Sequence, residues 1–278
     1  MNGLKLPEEF RELILDLQEG RKQAPVPRHA ATVVLLRDRD GIEVFMLRRV
    51  SSMAFAPGAY VFPGGSVDAR DAEYEAGEDW TAWGAAFGAT PELAKELVCA
   101  AVRETFEEAH VLLAGPSADR IVEDTAPFEA DRLALLDRSQ SLASFLTARD
   151  LVLRSDLLRP WAHWITPAIE PKRYDTRFFM AALPDGQRAL DVSTEADKVA
   201  WVRPAEALER ATAGELFMLP PTVATLQDLT RFKDVAEVLA SPREVYVHEP
   251  VGRIVDGDPY LVLPDDEHRL KYSDHYGE

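Results

Sequence analysis

Arg103-Glu104-Thr105-Phe106-Glu107-Glu108 is the stretch that decides how this chain is read. Around it, Val98, Val102, Phe106 and Ala109 recur at spacings of four, four and three, the apolar stripe of a helix laid on a core. Glu104, Glu107 and Glu108 stand at i, i+3 and i+4, so a helix gathers their carboxylates on another face, with Arg103 four residues before Glu107. Like charges at that spacing repel by a few tenths of a kcal/mol, roughly, per pair. A solvated acidic face tolerates this, and an oxygen-preferring divalent cation offsets it. The hexapeptide alone leaves both readings open.

Its surroundings are read outward from it. Thr90-Pro91 is a helix start, N-cap followed by a first-turn proline, and the helix is expected to run to about residue 109. Upstream, 30–37 and 42–49 read as a strand pair turned by Asp40-Gly41. A short strand at 60–62 runs into Pro63-Gly64-Gly65, where glycine lets backbone approach closely. Between lies an acidic segment with Trp80 and Trp83, read as a packed cap or a dimer contact. Residues 7–19 form an amphipathic helix through Phe10, Leu13, Ile14 and Leu17. Downstream, 131–150 suggests one or two helices, 151–165, 176–183 and 199–202 contain strands, 204–211 and 220–239 are helices, and 244–263 holds short strands. Strands with isolated helices and no repeated strand–helix–strand unit imply a mixed α/β domain, α+β in organisation. The expected division is an N-terminal helix and linker at 1–29, a domain at 30–240, and a C-terminal extension at 241–278 packed on it.

Composition limits the function. The 278 residues carry a formal net charge of −17, which disfavours nucleic acid and anionic membrane as partners. An anionic small molecule stays open, because a divalent metal inverts the charge of an acidic pocket. The single cysteine excludes an internal disulfide, and Cys99 reads as a small buried helix residue. No apolar run has the length of a membrane span, and 1–20 lacks the pattern of a signal peptide, so a cytoplasmic location is expected.

A Gly-Gly loop followed by Arg-Glu-x-x-Glu-Glu on a helix resembles the Nudix hydrolase family. That signature is Gly, five residues, Glu, seven residues, Arg-Glu-apolar-x-Glu-Glu-x-Gly-apolar. This chain departs from it in three places. Gly65 lies 38 positions before Arg103 where the family has 14, which implies about 24 inserted residues at about 68–89. Counted back from Arg103, the early Glu slot falls on Lys95, with Glu92 and Glu96 nearby. His110 occupies the late Gly slot, which unsettles the left-handed helix exit that a glycine there provides. The resemblance implies a Nudix fold, a mixed sheet sandwiched between helices, here with extra C-terminal helices. It also implies hydrolysis of a nucleotide-linked diphosphate with Mg2+ or Mn2+. The metal would be held by Glu104, Glu107, Glu108 and the Gly64 carbonyl, with Arg103 orienting the carboxylates. A later acidic residue would act as ligand or base; Glu195 is the candidate, with Asp197 and Glu170 behind it.

Arg49, Pro57-Gly58 and Phe62-Pro63-Gly64-Gly65 resemble the run that precedes the signature in coenzyme A diphosphatases of the family. The similarity is greatest to the Nudix 19-like branch, through Ala54-Phe55, residues 61–69, residues 173–179 and Leu219-Pro220-Pro221-Thr222. It implies coenzyme A or acyl-coenzyme A as substrate, with Arg49, Phe62 and Arg173 as substrate contacts and Arg177 a further candidate. Trp161, Trp164, Tyr174 and Phe178 fit either a pocket wall or plain core. ADP-ribose, NADH or a nucleotide sugar as substrate, and a catalytically silent ligand-binding Nudix module, are the alternatives. A homodimer is compatible with all of them.

Overall fold

The computed structural model describes residues 3–50, 56–75, 79–190 and 196–263, without the side chain of Asp197. The chain opens with β1 (Gly3–Lys5) and α1 (Phe10–Gln18), then the hairpin β2 (Arg28–Asp38) and β3 (Ile42–Arg49). Asp40 and Gly41 both take positive φ at its turn, 53° and 110°, as the Asp-Gly pair predicts. Short strands β4 (Tyr60–Val61) and β5 (Gly64–Ser66) lead through a 3-10 turn, Ala69–Glu73, to α2 (Trp80–Phe87) and α3 (Pro91–Ala109). Then come β6 (Ala114–Gly115), α4 (Glu129–Leu136), α5 (Leu142–Ala148), β7 (Val152–Leu153), β8 (Arg159–Ile165), β9 (Tyr174–Ala182) and β10 (Ala196–Val202). Helices α6 (Pro204–Thr212), α7 (Pro220–Leu229) and α8 (Val235–Ala240) precede β11 (Val247–His248), β12 (Val251–Val255) and β13 (Asp258–Val262).

The main sheet has the order β10-β3-β2-β9-β8-β11, with β4 joined to β3 and β5 to β2. β2 and β9 run parallel, as do β8 and β11, and the remaining pairs are antiparallel, so the sheet is mixed. Side chains alternate across it, and the two faces fill different cores. Ala31, Val33, Leu35, Phe45, Leu47, Phe179 and Ala181 pack under α3 and α5. Val34, Leu36, Val44, Met46, Phe178 and Met180 pack against α6, α7 and α8. The expected α+β sandwich is therefore present.

The structure refines the expectation in three places. Helix 220–239 is two helices, because Asp234 caps a new one by accepting from the Glu237 amide (2.8 Å) while Asp38 accepts from the Val235 amide (3.1 Å). The chain's two ends are joined: β1 pairs with β13, which pairs with β12, and β11 enters the main sheet beside β8. The inserted segment packs as a cap, with Trp80 and Trp83 partly buried on the core and Trp83 5.7 Å from Phe179 by ring centroids.

At the start of β9, Asp175 and Arg177 are buried with His163 of β8. Asp175 binds the Arg177 guanidinium at 2.6 Å, faces His29 at 3.2 Å, and hydrogen-bonds His163. Burial would raise the Asp175 carboxyl, but the hydrogen bonds from His163 and His29 and the charge of Arg177 outweigh it and hold it well below the usual carboxylate range. That stabilisation is complete above about pH 4, the ordinary carboxylate value, and disappears only on further acidification. Asp175→Asn removes the carboxylate that a buried guanidinium faces at 2.6 Å, so urea denaturation at pH 7 should show a loss of about 3–5 kcal/mol. The loss should shrink below about pH 4, as the wild type forfeits the same contribution.

Candidate active site

α3 starts where Thr90 Oγ1 accepts from the Leu93 amide (3.3 Å) and Pro91 fills the first turn. It ends at Ala109, and His110 leaves the helix in the left-handed region with φ 59°. The apolar stripe is fully buried, and the acidic face is not solvated: Arg103, Glu107 and Glu108 are all less than a tenth exposed. The structure thus excludes the solvated reading of these carboxylates. Packed over them are the 3-10 turn at 69–73, which binds Arg103, together with α4 and the loop after it.

Arg103 is the centre of the site. Its Nε and Nη2 donate to the two carboxylate oxygens of Asp71 (2.9 and 3.0 Å). Its Nη1 donates to Glu104 (2.7 Å) and Glu107 (3.3 Å), and Nη2 also donates to the Ser66 carbonyl (3.0 Å). These five bonds match the five donors of a guanidinium. Glu108 turns the other way and accepts from the Gly64 amide (2.8 Å). The helix is thereby stitched to β5 from two sides.

Asp71 is the residue the sequence reading missed. Counted forward from Gly65, five residues intervene before Asp71, so it fills the early acidic slot of the signature. The extra residues enter after it, not from position 68. Lys95, where the backward count falls, donates instead to the Ala72 carbonyl (2.7 Å) and closes the inserted loop onto the helix. Asp71 is itself fixed by a reciprocal cap: the Asp68 amide donates to Asp71 (2.8 Å), and Asp68 accepts from the Arg70 amide (3.0 Å). Arg70 then reaches across to the carbonyls of Arg138 (2.7 Å) and Gln140 (3.3 Å) and holds the α4–α5 connection over the site.

The charge balance of this cluster is unusual. Asp71, Glu104, Glu107 and Glu108 surround one buried guanidinium. Burial opposes the charge of Arg103, but the Asp71 hydrogen bonds and the attraction of Glu104 more than offset it, so the guanidinium stays charged. Burial pushes the Glu104 carboxyl up to about 7; Arg103 opposes this and Glu107 adds repulsion. Glu107 is also raised, by burial first, with Arg103 again opposing. Hard oxygen donors in negative excess suit a divalent cation. Among the described residues no three His, Cys, Asp or Glu side chains are gathered as a ready metal cage. Glu104 and Glu107 lean to Arg103, and Glu108 leans to Gly64.

The remaining sequence candidates divide. Gly64 and Gly65 lie opposite Thr32 and Ala31 of β2, beside the acidic helix. Arg49 ends β3, half-buried, and its backbone exchanges hydrogen bonds with Ala59 and Gly58 (2.9 and 3.1 Å). Phe62, expected at the substrate, lies in the core on the face away from α3. Arg173 is buried, and its three nitrogens bind the carbonyls of Thr166 and Pro25 (both 2.8 Å) and the Glu249 carboxylate (2.5 Å). It ties the turn before β9 to Pro25 and Glu249. Arg177 is buried against Asp175, Trp161, Trp164 and Phe178 are core, and Tyr174 is partly buried. Glu170 is half-buried in the turn after β8. Glu195 and Ala54-Phe55 lie outside the described residues, as does the side chain of Asp197.

The family model described as the NUDT19 Nudix domain matches residues 87–231, just over half of the chain and all of α3. This chain belongs to the Nudix family, in its NUDT19-like branch. It is 31% identical over 208 residues to a Caenorhabditis elegans relative named for the nudix hydrolases, covering 74% of this chain and 61% of that protein. It is 27% identical over 250 residues to the human acyl-coenzyme A diphosphatase NUDT19, covering 72% and 63%. The chain thus spans about three fifths of the length of these relatives. The crystal structure of a NUDIX hydrolase from Alicyclobacillus acidocaldarius superposes with a TM-score of 0.64 at 28% identity, covering 79% of this chain and 98% of that one. Its likeness supports the Nudix fold for the sheet and the helices around it. No helix among the described residues is long and apolar enough to cross a membrane.

The two glycines of this family loop differ in what they permit. A Cβ on Gly64 would come within 2.7 Å of backbone and side chain of Thr32 and 2.5 Å of the Ala31 carbonyl. For a Cβ on Gly65 the nearest atoms all belong to the Glu104 carboxylate, from 2.5 Å. Gly64→Ala should therefore cost about 1–3 kcal/mol in urea denaturation, since backbone must move. Gly65→Ala should fold with a smaller loss, because the end of one side chain gives way.

Proposed function

We propose that this chain hydrolyses the diphosphate bond of a nucleotide-linked substrate, with coenzyme A or acyl-coenzyme A preferred. Coenzyme A would yield 3',5'-ADP and 4'-phosphopantetheine. One observation carries the reading: the buried carboxylate excess around Arg103, on the helix that bears the family signature. The names of the human and Xenopus laevis relatives as acyl-coenzyme A diphosphatases favour the substrate class.

Glu104, Glu107, Glu108 and the Gly64 carbonyl would hold Mg2+ or Mn2+. The bound ion would polarise the phosphoryl oxygens and lower the pKa of the attacking water. The rest falls to the protein. Arg103 holds Glu104 and Glu107 side by side through Nη1 and opposes the burial that raises both carboxyls, and Asp71 keeps Arg103 in place. Gly64 orients Glu108 through its amide. Glu195, six residues before Trp201, is the proposed later ligand or base. Arg49, beside the Pro57-Gly58 turn, is the proposed phosphate contact, since a guanidinium matches phosphate in a bidentate way. A cytoplasmic location agrees with this reading.

The test is a panel of coenzyme A, acyl-coenzyme A, ADP-ribose, NADH and nucleotide sugars, incubated with Mg2+ or Mn2+ and analysed for products. Release of 3',5'-ADP from coenzyme A is expected, lost with EDTA and restored by metal. Preferential cleavage of another member transfers the assignment to it. No turnover of any compound leaves a silent binding module. Glu107→Gln and Glu108→Gln should each lower turnover about a hundredfold or more while the melting temperature holds, because the apolar stripe is untouched. A parallel loss of both would point to a structural role.

A further inference from the structure

His110 stands where the family signature has glycine, and the structure shows what it does there. Its buried ring makes two hydrogen bonds, Nδ1 with Thr125 Oγ1 (2.8 Å) and Nε2 with Glu129 Oε2 (3.0 Å). A carboxylate only accepts, so Nε2 carries the proton and, in the neutral ring, Nδ1 accepts from the Thr125 hydroxyl. The same Glu129 takes a bidentate pair from Arg132, Nε and Nη2 both at 2.8 Å. Arg132, itself buried, donates Nη1 to the backbone carbonyl of Glu107 (2.8 Å). That carbonyl lies in the last turn of α3, where helix geometry provides no partner and a cation complements the dipole. The path Glu107–Arg132–Glu129–His110 returns along the backbone to Glu107 and forms a closed ring.

We propose that His110, Glu129 and Arg132 act together as a positioning device that fixes the last turn of α3, and with it Glu107 and Glu108, relative to β5. The proposal rests on the metal-dependent reading above. Glu107 is held at both ends, its side chain by Arg103 and its carbonyl by Arg132. Glu108 follows it directly and must reach the Gly64 amide. With glycine at 110 the left-handed exit is easy and no side chain ties it to α4. With histidine the exit is strained and tied. The chain thus replaces a freely adopted conformation by a bonded one, and α4 becomes part of the support of the site.

The test uses full-length wild type and the variants Arg132→Gln, His110→Gly and the double variant. Mn2+ affinity is measured by calorimetry, kcat and KM for coenzyme A by product release, and folding by thermal melting. Arg132→Gln and His110→Gly should each weaken Mn2+ binding about fivefold to tenfold and lower kcat about tenfold, with KM within about twofold. The double variant should be little worse than either single one, the mark of one coupled unit. Arg132→Lys, which keeps a donor for the Glu107 carbonyl, should recover part of the Mn2+ affinity. Variants that melt earlier yet keep wild-type Mn2+ affinity and kcat overturn the proposal, because the ring is then structural only. Wild type that binds no Mn2+ also overturns it, since no metal site is left to position. Wild type that binds Mn2+ without cleaving coenzyme A defeats the substrate reading alone, and the Mn2+ arm still decides the positioning role.

Discussion

A guanidinium buried in a protein must find a partner for each of its donors, and Arg103 finds five. The acceptors lie on three pieces of the chain: Asp71 on the 3-10 turn before the insertion, Ser66 on β5, Glu104 and Glu107 on α3 itself. That requirement places the helix, the glycine strand and the 3-10 turn in one arrangement. It also explains why a 3-10 turn with a reciprocal cap precedes a long inserted loop. The turn presents Asp71 rigidly, and the residues after it are free to diverge. Removing Asp71 would leave two donors buried without an acceptor, which couples the turn before the insertion to the site.

The carboxylates are more numerous than this one cation can balance. Burial raises Glu104 and Glu107 rather than letting them relax as surface acids do. A protein maintains such an arrangement against its own repulsion only where the fold holds it in place. Here the sheet and the capping turn supply that hold from two sides, and α4 supplies it from a third through Arg132 and Glu129. The proposed divalent cation would take its seat in this surplus charge.

Much of the fold was legible locally. Thr90-Pro91 marked the start of α3, Asp40-Gly41 marked the hairpin, and the Val98–Val102–Phe106–Ala109 stripe marked the buried face. These are interactions between near neighbours in sequence. The site was legible in part. The glutamates could be named, but their burial could not, since it depends on α4 and the 3-10 turn folding over them. Asp71 was missed because the signature was counted back from Arg103; counting forward from Gly65 reaches an acidic residue at the right step. The partners of His110 lie 15 and 19 residues on and meet it only through tertiary packing. Arg173 and Phe62 looked like binding residues by analogy, while in the fold Arg173 binds Pro25 and Glu249 and Phe62 fills a core. The split of 220–239 depends on Asp38, 197 residues away from Val235.

The most direct measurement is the melting temperature of the wild-type protein against Mn2+ or Mg2+ concentration. A ligand that binds only the folded state raises stability by RT ln(1 + [L]/Kd), about 2.7 kcal/mol at a hundredfold excess over Kd. With a cation held by these carboxylates, the midpoint should climb with metal in the wild type and stay flat in Glu107→Gln and Glu108→Gln. A wild-type midpoint indifferent to both metals up to millimolar concentration would contradict it.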